Sequence, residues 1–152
     1  MDRVSLVKIV TPNPEAIEHF LTNVVDIPEG WHIGGYPQAG QVPHDIASPA
    51  RNADGSFDVD SVNRFRGDDA TSGIIVGSPE TRQFQVLHGE KAHIRAAAIG
   101  TRNLEDAHAK CVAAGYPCTP QSATPWGDST MEYFYCEVGG IVFEVLRAKR
   151  SE

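Results

Sequence analysis

The chain has 152 residues, 41% of them hydrophobic and 22% charged, a composition that can bury roughly 70% of its unfolded surface in one domain without staples. Its net charge of −7 and pI near 5.3 exclude a nucleic-acid binder, which needs a cationic face. Arg147, Lys149 and Arg150 amount only to a short basic tail, read as a solvated C-terminus.

No stretch approaches the ~20 apolar residues that cross a bilayer, and no signal-peptide layout is visible, so a cytoplasmic protein without a membrane partner is expected. Three cysteines, Cys111, Cys118 and Cys136, are odd in number and lack metal-motif spacing. Cys111 falls on a helix face and reads as a small core residue.

The pattern predicts a first strand over Val4 to Thr11. Asn13 reads as an N-cap with Pro14 at the first helical position and Glu15 in the acidic first turn. Ile17, Phe20, Leu21 and Val24 then form a helical stripe that Pro28 and Gly30 close. Strands follow near Trp31 to Tyr36, Gly73 to Gly77 and Arg82 to Leu87. The stretch from about 37 to 71 is rich in Gly, Pro, Asp, Asn and Ser, with a weak strand pattern only around Phe57 to Val62. It reads as an inserted loop, a lid or a surface excursion. Within it, Asp54-Gly55-Ser56 and Asp58-Val59-Asp60 lack the downstream Glu of a calcium loop and read as a solvated turn.

The second half repeats this order. A strand runs to Thr101, Asn103 is the cap and Glu105 the acidic first turn. Leu104, Ala107, Cys111 and Ala114 form the stripe, and Gly115 is the C′ glycine. Strands are expected near Tyr116 to Thr119, Thr130 to Cys136 and Ile141 to Arg147, with a turn at Val138-Gly139-Gly140. Phe84-Gln85-Val86-Leu87 corresponds to Phe143-Glu144-Val145-Leu146. The caps are 90 residues apart and these closing strands 59 apart, so the first copy is longer by 31 residues, which the inserted stretch accounts for. The chain therefore reads as one α+β domain, with a first βαβββ module over 1–90 and a second over 91–152.

Ile99-Gly100-Thr101-Arg102-Asn103-Leu104-Glu105-Asp106-Ala107, Pro125-Trp126-Gly127, Tyr133-Phe134, Gly139-Gly140 and Phe143-Glu144-Val145 resemble the vicinal-oxygen-chelate superfamily of glyoxalases, bleomycin-resistance proteins and extradiol dioxygenases. That resemblance implies paired modules whose mixed sheets curl around a shared small-molecule cavity. It also implies frequent homodimers, and often a divalent metal held by one residue from each of four strands. Glu144 matches the last carboxylate ligand and Gln85 its counterpart in the first copy. Counting back eight residues from Leu104 and from Pro14 gives Ala96 and Leu6 for the other two, and neither binds a metal. No cofactor is therefore expected. A metal enzyme with displaced ligands requires His32, His44 or His93 to point inward, yet His93 lies at an odd offset from Ala96, which turns it to the other face of a regular strand. His88 is placed at an exposed strand end, and His19 and His108 on helix surfaces.

Alternation puts Glu144 between Val142 and Leu146 on one face, where a carboxylate costs several kcal/mol unless something answers it. Lys8 shares the Leu6 face of an otherwise apolar strand and is the expected partner. A desolvated carboxylate can take a proton, and an ammonium can stabilise an enolate. These residues predict proton abstraction next to a carbonyl, as in an isomerase, epimerase or lyase. Glu144 would be base, Lys8 stabiliser and Gln85 orienter. Trp126, Tyr133, Tyr135, His32 and His44 would shape the substrate pocket. The alternative is a non-catalytic drug- or toxin-sequestering protein, whose acidic charge suits a cationic ligand.

Overall fold

In the computed structural model the described residues are 3–35, 49–70, 73–78 and 82–150; the side chains of 31–35, 65–70, Trp126 and Arg150 are outside that description. The elements in chain order are β1 (Arg3–Thr11), α1 (Pro14–His19) running into a π-helical turn (Phe20–Val24), β2 (Glu29–Gly35), α2 (Val59–Ala70), β3 (Gly73–Ser78) and β4 (Arg82–His88). Then come β5 (His93–Gly100), α3 (Leu104–Ala113), β6 (Ser122–Trp126), β7 (Ser129–Val138) and β8 (Ile141–Arg150).

Both caps form as their residues dictate. Asn13 Oδ1 accepts from Ala16 N–H at 3.2 Å, and Asn103 Oδ1 accepts from Asp106 N–H at 3.1 Å. The strands make one open sheet in the order β2-β3-β4-β1-β5-β8-β7-β6. Its halves are mirror images in sequence order. β1 runs parallel to β4, β5 runs parallel to β8, and the two halves join through the antiparallel β1–β5 pair. An antiparallel joint between equivalent strands is what a two-fold relation between the modules requires. Between β7 and β8, Gly139 and Gly140 both hold positive φ (60° and 83°), the two-residue hairpin geometry that favours glycine.

Alternation then sorts the side chains. On one face Leu21 of the π turn packs on Ile74, Val76 and Val86, and Leu104 of α3 packs on Phe134, Cys136 and Val145. The opposite face carries Lys8, Gln85, Ala96, Tyr133, Tyr135, Val142 and Glu144; neither α1 nor α3 packs on it, but Val62 of α2 does.

Three expectations are corrected. The insert contains the twelve-residue helix α2 where the sequence pattern gave loop and weak strand. Asp58 initiates it, its Oδ1 accepting from Ser61 N–H at 2.8 Å and its backbone carbonyl from Val62 N–H at 3.0 Å. The strand expected at Tyr116 to Thr119 is a single bridge, Cys118 to Cys136, and the regular edge strand lies at Ser122–Trp126. Arg147 is no part of a loose tail, since its guanidinium clamps Glu105 (2.7 and 3.0 Å) and Glu132 (2.7 Å) from within β8. The expected turn at Asp54-Gly55-Ser56 is present, with Ser56 N–H donating to Asp54 Oδ1 at 3.0 Å.

Candidate functional site

The hollow face is organised by register. Lys8 lies opposite Gln85 across the parallel β1–β4 pair, and Ala98 lies opposite Glu144 across the parallel β5–β8 pair. These four positions are related by the module repeat, because Lys8 and Ala98 are 90 residues apart, as the caps are. The first-strand residues paired with Gln85 and Glu144 are thus Lys8 and Ala98, each two positions further along the same strand face than Leu6 and Ala96.

Lys8 and Glu144 are separated by the whole of β5, about 10 Å of backbone at ordinary strand spacing. Their side chains meet above it, with Lys8 Nζ donating to Glu144 Oε2 at 3.3 Å. Ala96 and Ala98, the β5 residues beneath, are small enough to leave that path open. The Lys8 side chain is 5% exposed and that of Glu144 13%, so this is an ion pair largely withdrawn from water. Gln85 is equally buried, at 3%.

Tyr133 and Tyr135 line the same face on β7, with Tyr135 directly opposite Glu144. Their rings meet edge to face at 5.8 Å. They do not stand open to the hollow. Phe57 and Val62 of the insert pack with them against Ala96 and Val142, so the insert fills the second module's share of the concavity. Arg51 holds the insert there by an ion pair to Glu137 and stacks 4.6 Å over Phe57. Arg51 was not singled out in the sequence, and Phe57 and Val62 appeared there only as the bounds of a weak strand pattern. Asp58 followed by an acidic first turn was the available signal for an ordered insert.

His93 departs from its expected face. Between Lys8 and Ile9 the β1–β5 register slips, Lys8 facing Ala96 and Ile9 facing Ile94, so Arg95 is an extra residue in β5. This bulge brings His93 opposite Val10, on the Lys8 side of the strand. Its Nδ1 lies 2.8 Å from Lys91 O, and its Nε2 is buried without a hydrogen-bond partner among the described residues. His88 is half-buried opposite Thr11, and His19 is exposed. His108 is no surface residue: its Nε2 sits 3.0 Å from Thr119 O, with the ring edge-on to Phe134. His32 lies in β2 opposite Ile74, but its side chain is outside the described residues, as is that of Trp126 in β6; His44 is wholly outside them.

Structures of similar shape now bear on the fold. The chain superposes on a glyoxalase/bleomycin resistance protein/dioxygenase superfamily member from Vibrio splendidus with a TM-score of 0.55, 7% identity, and coverage of 97% of this chain and 99% of that one. It also superposes on a methylmalonyl-CoA epimerase from Mycobacterium tuberculosis (TM-score 0.54, 10% identity, 95% and 86% covered). The chain has the vicinal-oxygen-chelate fold. A third structure with this fold is the Streptomyces coelicolor methylmalonyl-CoA epimerase in complex with 2-nitronate-propionyl-CoA (TM-score 0.51, 8% identity, 95% and 96% covered). No family model and no curated protein matches the sequence.

The four-strand metal position often found in vicinal-oxygen-chelate proteins does not fit the residues present. The residues that the resemblance assigns to it, Leu6, Gln85, Ala96 and Glu144, offer one amide, one carboxylate and no imidazole, and the Lys8 ammonium already sits against the carboxylate. Among the described residues no group of three or more His, Cys, Asp or Glu side chains could hold a metal ion. Nor, among them, is any helix long and apolar enough to cross a membrane.

Proposed function

We propose that this chain is an isomerase, epimerase or lyase that removes a proton next to the carbonyl of a small substrate bound in the hollow of the sheet. The observation that carries this reading is the Lys8–Glu144 pair, buried on the concave face at 3.3 Å. Glu144 Oε2 takes the proton. Lys8 Nζ, released from the carboxylate as it is protonated, turns its charge toward the enolate oxygen. Gln85, directly beside Lys8 on β4, orients the carbonyl through its amide. Tyr135, opposite Glu144 and covered by the insert, backs the carboxylate on the β7 side. The epimerases among structures of this fold support the reaction class, and the substrate position by analogy alone.

The test follows hydrogen exchange at the carbon next to the carbonyl. Methylmalonyl-CoA and a panel of small 2-substituted acyl thioesters and 2-hydroxy ketones are incubated with the protein in D2O and read by NMR. Deuterium uptake is expected, falling by about 100-fold or more in Glu144→Gln, since general-base removal costs roughly that much. Uptake equal in the wild type and in Glu144→Gln refutes the assignment.

A second reading, ligand sequestration without chemistry, draws support from the net charge of −7, which favours a cationic guest. Saturable calorimetric binding of a cationic glycopeptide, without exchange in the panel, is the result that would favour it.

A further inference from the structure

On the helix-covered face of the second module the three thiols come together. Cys111 projects from α3, Cys136 from β7, and Cys118 from the segment that follows α3, all within the apolar cluster around Leu104 and Phe134. All three are free. Sequence spacing gives no hint of this, because 25 residues and a hairpin separate the first from the last.

The backbone makes one pair special. Thr119 N–H donates to Tyr135 O at 2.9 Å, and Glu137 N–H donates to Pro117 O at 3.1 Å. These two bonds bracket Cys118 and Cys136, which are therefore a non-hydrogen-bonded antiparallel pair. At such pairs the Cα atoms approach to about 4.5 Å and the side chains lie on the same face. That separation is inside the range of roughly 4.4–6.8 Å spanned by disulfides. Thr119 fixes the register further, since its Oγ1 accepts from Tyr135 N–H at 2.8 Å.

We propose that Cys118 and Cys136 form a redox modification site that closes as a cross-strand disulfide, with Cys111 as the neighbouring third thiol. With a small disulfide such as oxidised glutathione as oxidant, one protein thiolate attacks it, forming a mixed disulfide and releasing one glutathione. The second protein thiolate displaces the other glutathione, forming the S–S bond. Two protein thiols are oxidised, one oxidant disulfide is reduced, and the two thiol protons end on the two glutathiones. Burial, reinforced by Cys111, pushes the Cys118 thiol up to about 11 and the Cys136 thiol to about 12, so the reduced pair rests protonated and closure is slow at neutral pH. The bridge would fasten the 116–121 segment to β7 beside Tyr135, the residue opposite Glu144, and so connects the redox state of one face to the packing of the other.

The experiment incubates the folded protein with oxidised glutathione, blocks remaining thiols and maps peptides by mass spectrometry. The expected product has lost the mass of two hydrogens, retains one blockable thiol, and yields a Cys118–Cys136 cross-linked peptide. Cys111→Ser should give the same bridge and Cys118→Ser none. Closing an 18-residue span should raise the melting temperature by on the order of 5 °C. A bridge through Cys111, a stable glutathione adduct without closure, a covalent dimer, or a lowered melting temperature overturns the proposal. So does a folded protein that stays reduced where the unfolded chain oxidises.

Discussion

At the scale of single residues the decisive question is what Lys8 does for Glu144. Two opposite charges taken out of water together are nearly neutral in stability, whereas one left behind is costly. Lys8→Met should therefore destabilise the fold by about 3–5 kcal/mol, and Lys8→Met with Glu144→Leu should recover most of that loss. Urea unfolding of the two variants measures it, and a double variant no better than the single would show that the pair does not act as a unit. This pair was legible in the sequence. A Lys inside the apolar run Val4, Leu6, Val10 and a Glu between Val142 and Leu146 each demand a partner, and alternation places both on the hollow face. The position of Lys8 beside Gln85, and the inward turn of His93, were not legible. Both depend on strand register, and the extra residue at Arg95 leaves no trace in a pattern of apolar and polar letters.

At the scale of elements, the caps and stripes of α1 and α3 announced themselves because local hydrogen bonding and one-sided burial write directly into sequence. The insert did not, because α2 is a mostly polar helix and the insert's order comes from contacts made far away, at Tyr133 and Tyr135 by Phe57 and Val62 and at Glu137 by Arg51. If Phe57 is core and not drapery, Phe57→Ala should cost about 3–5 kcal/mol by thermal or urea unfolding, as for other buried aromatics. A loss under 1 kcal/mol would mean that the insert merely lies on the surface. Arg147 offers a second check. Its hydrogen bonds hold the Glu105 carboxyl below its ordinary value of 4.5. A depressed carboxylate contributes stability above its unfolded value, and that contribution is lost as pH falls through the lower folded value. Acid unfolding of Glu105→Gln should accordingly begin from a less stable state at pH 6, with a shallower decline below pH 4.5. Glu105 is exposed, so the difference in slope is the readout, not its size.

At the scale of the whole molecule, the opening and closing strands of both modules meet on one face of the sheet. The sheet supplies Gln85 and Glu144 from the strands that close each module, and Lys8 and Ala98 from the strands that open them. Because these four side chains share one face in paired register, imidazoles at Lys8 and Ala98 should create a metal site beside Gln85 and Glu144. Lys8→His with Ala98→His is expected to bind cobalt(II) or zinc, giving the visible absorption of protein-bound cobalt and a melting temperature that rises with metal concentration. Ala98→His alone should not, because the Lys8 ammonium still occupies the charge of Glu144. Lys8→His alone should bind weakly, with one imidazole and two oxygens. Equal affinity of all three variants would mean that metal is held elsewhere. It would also mean that the hollow is not the shared, two-fold frame on which both the ion pair and the proposed chemistry rest.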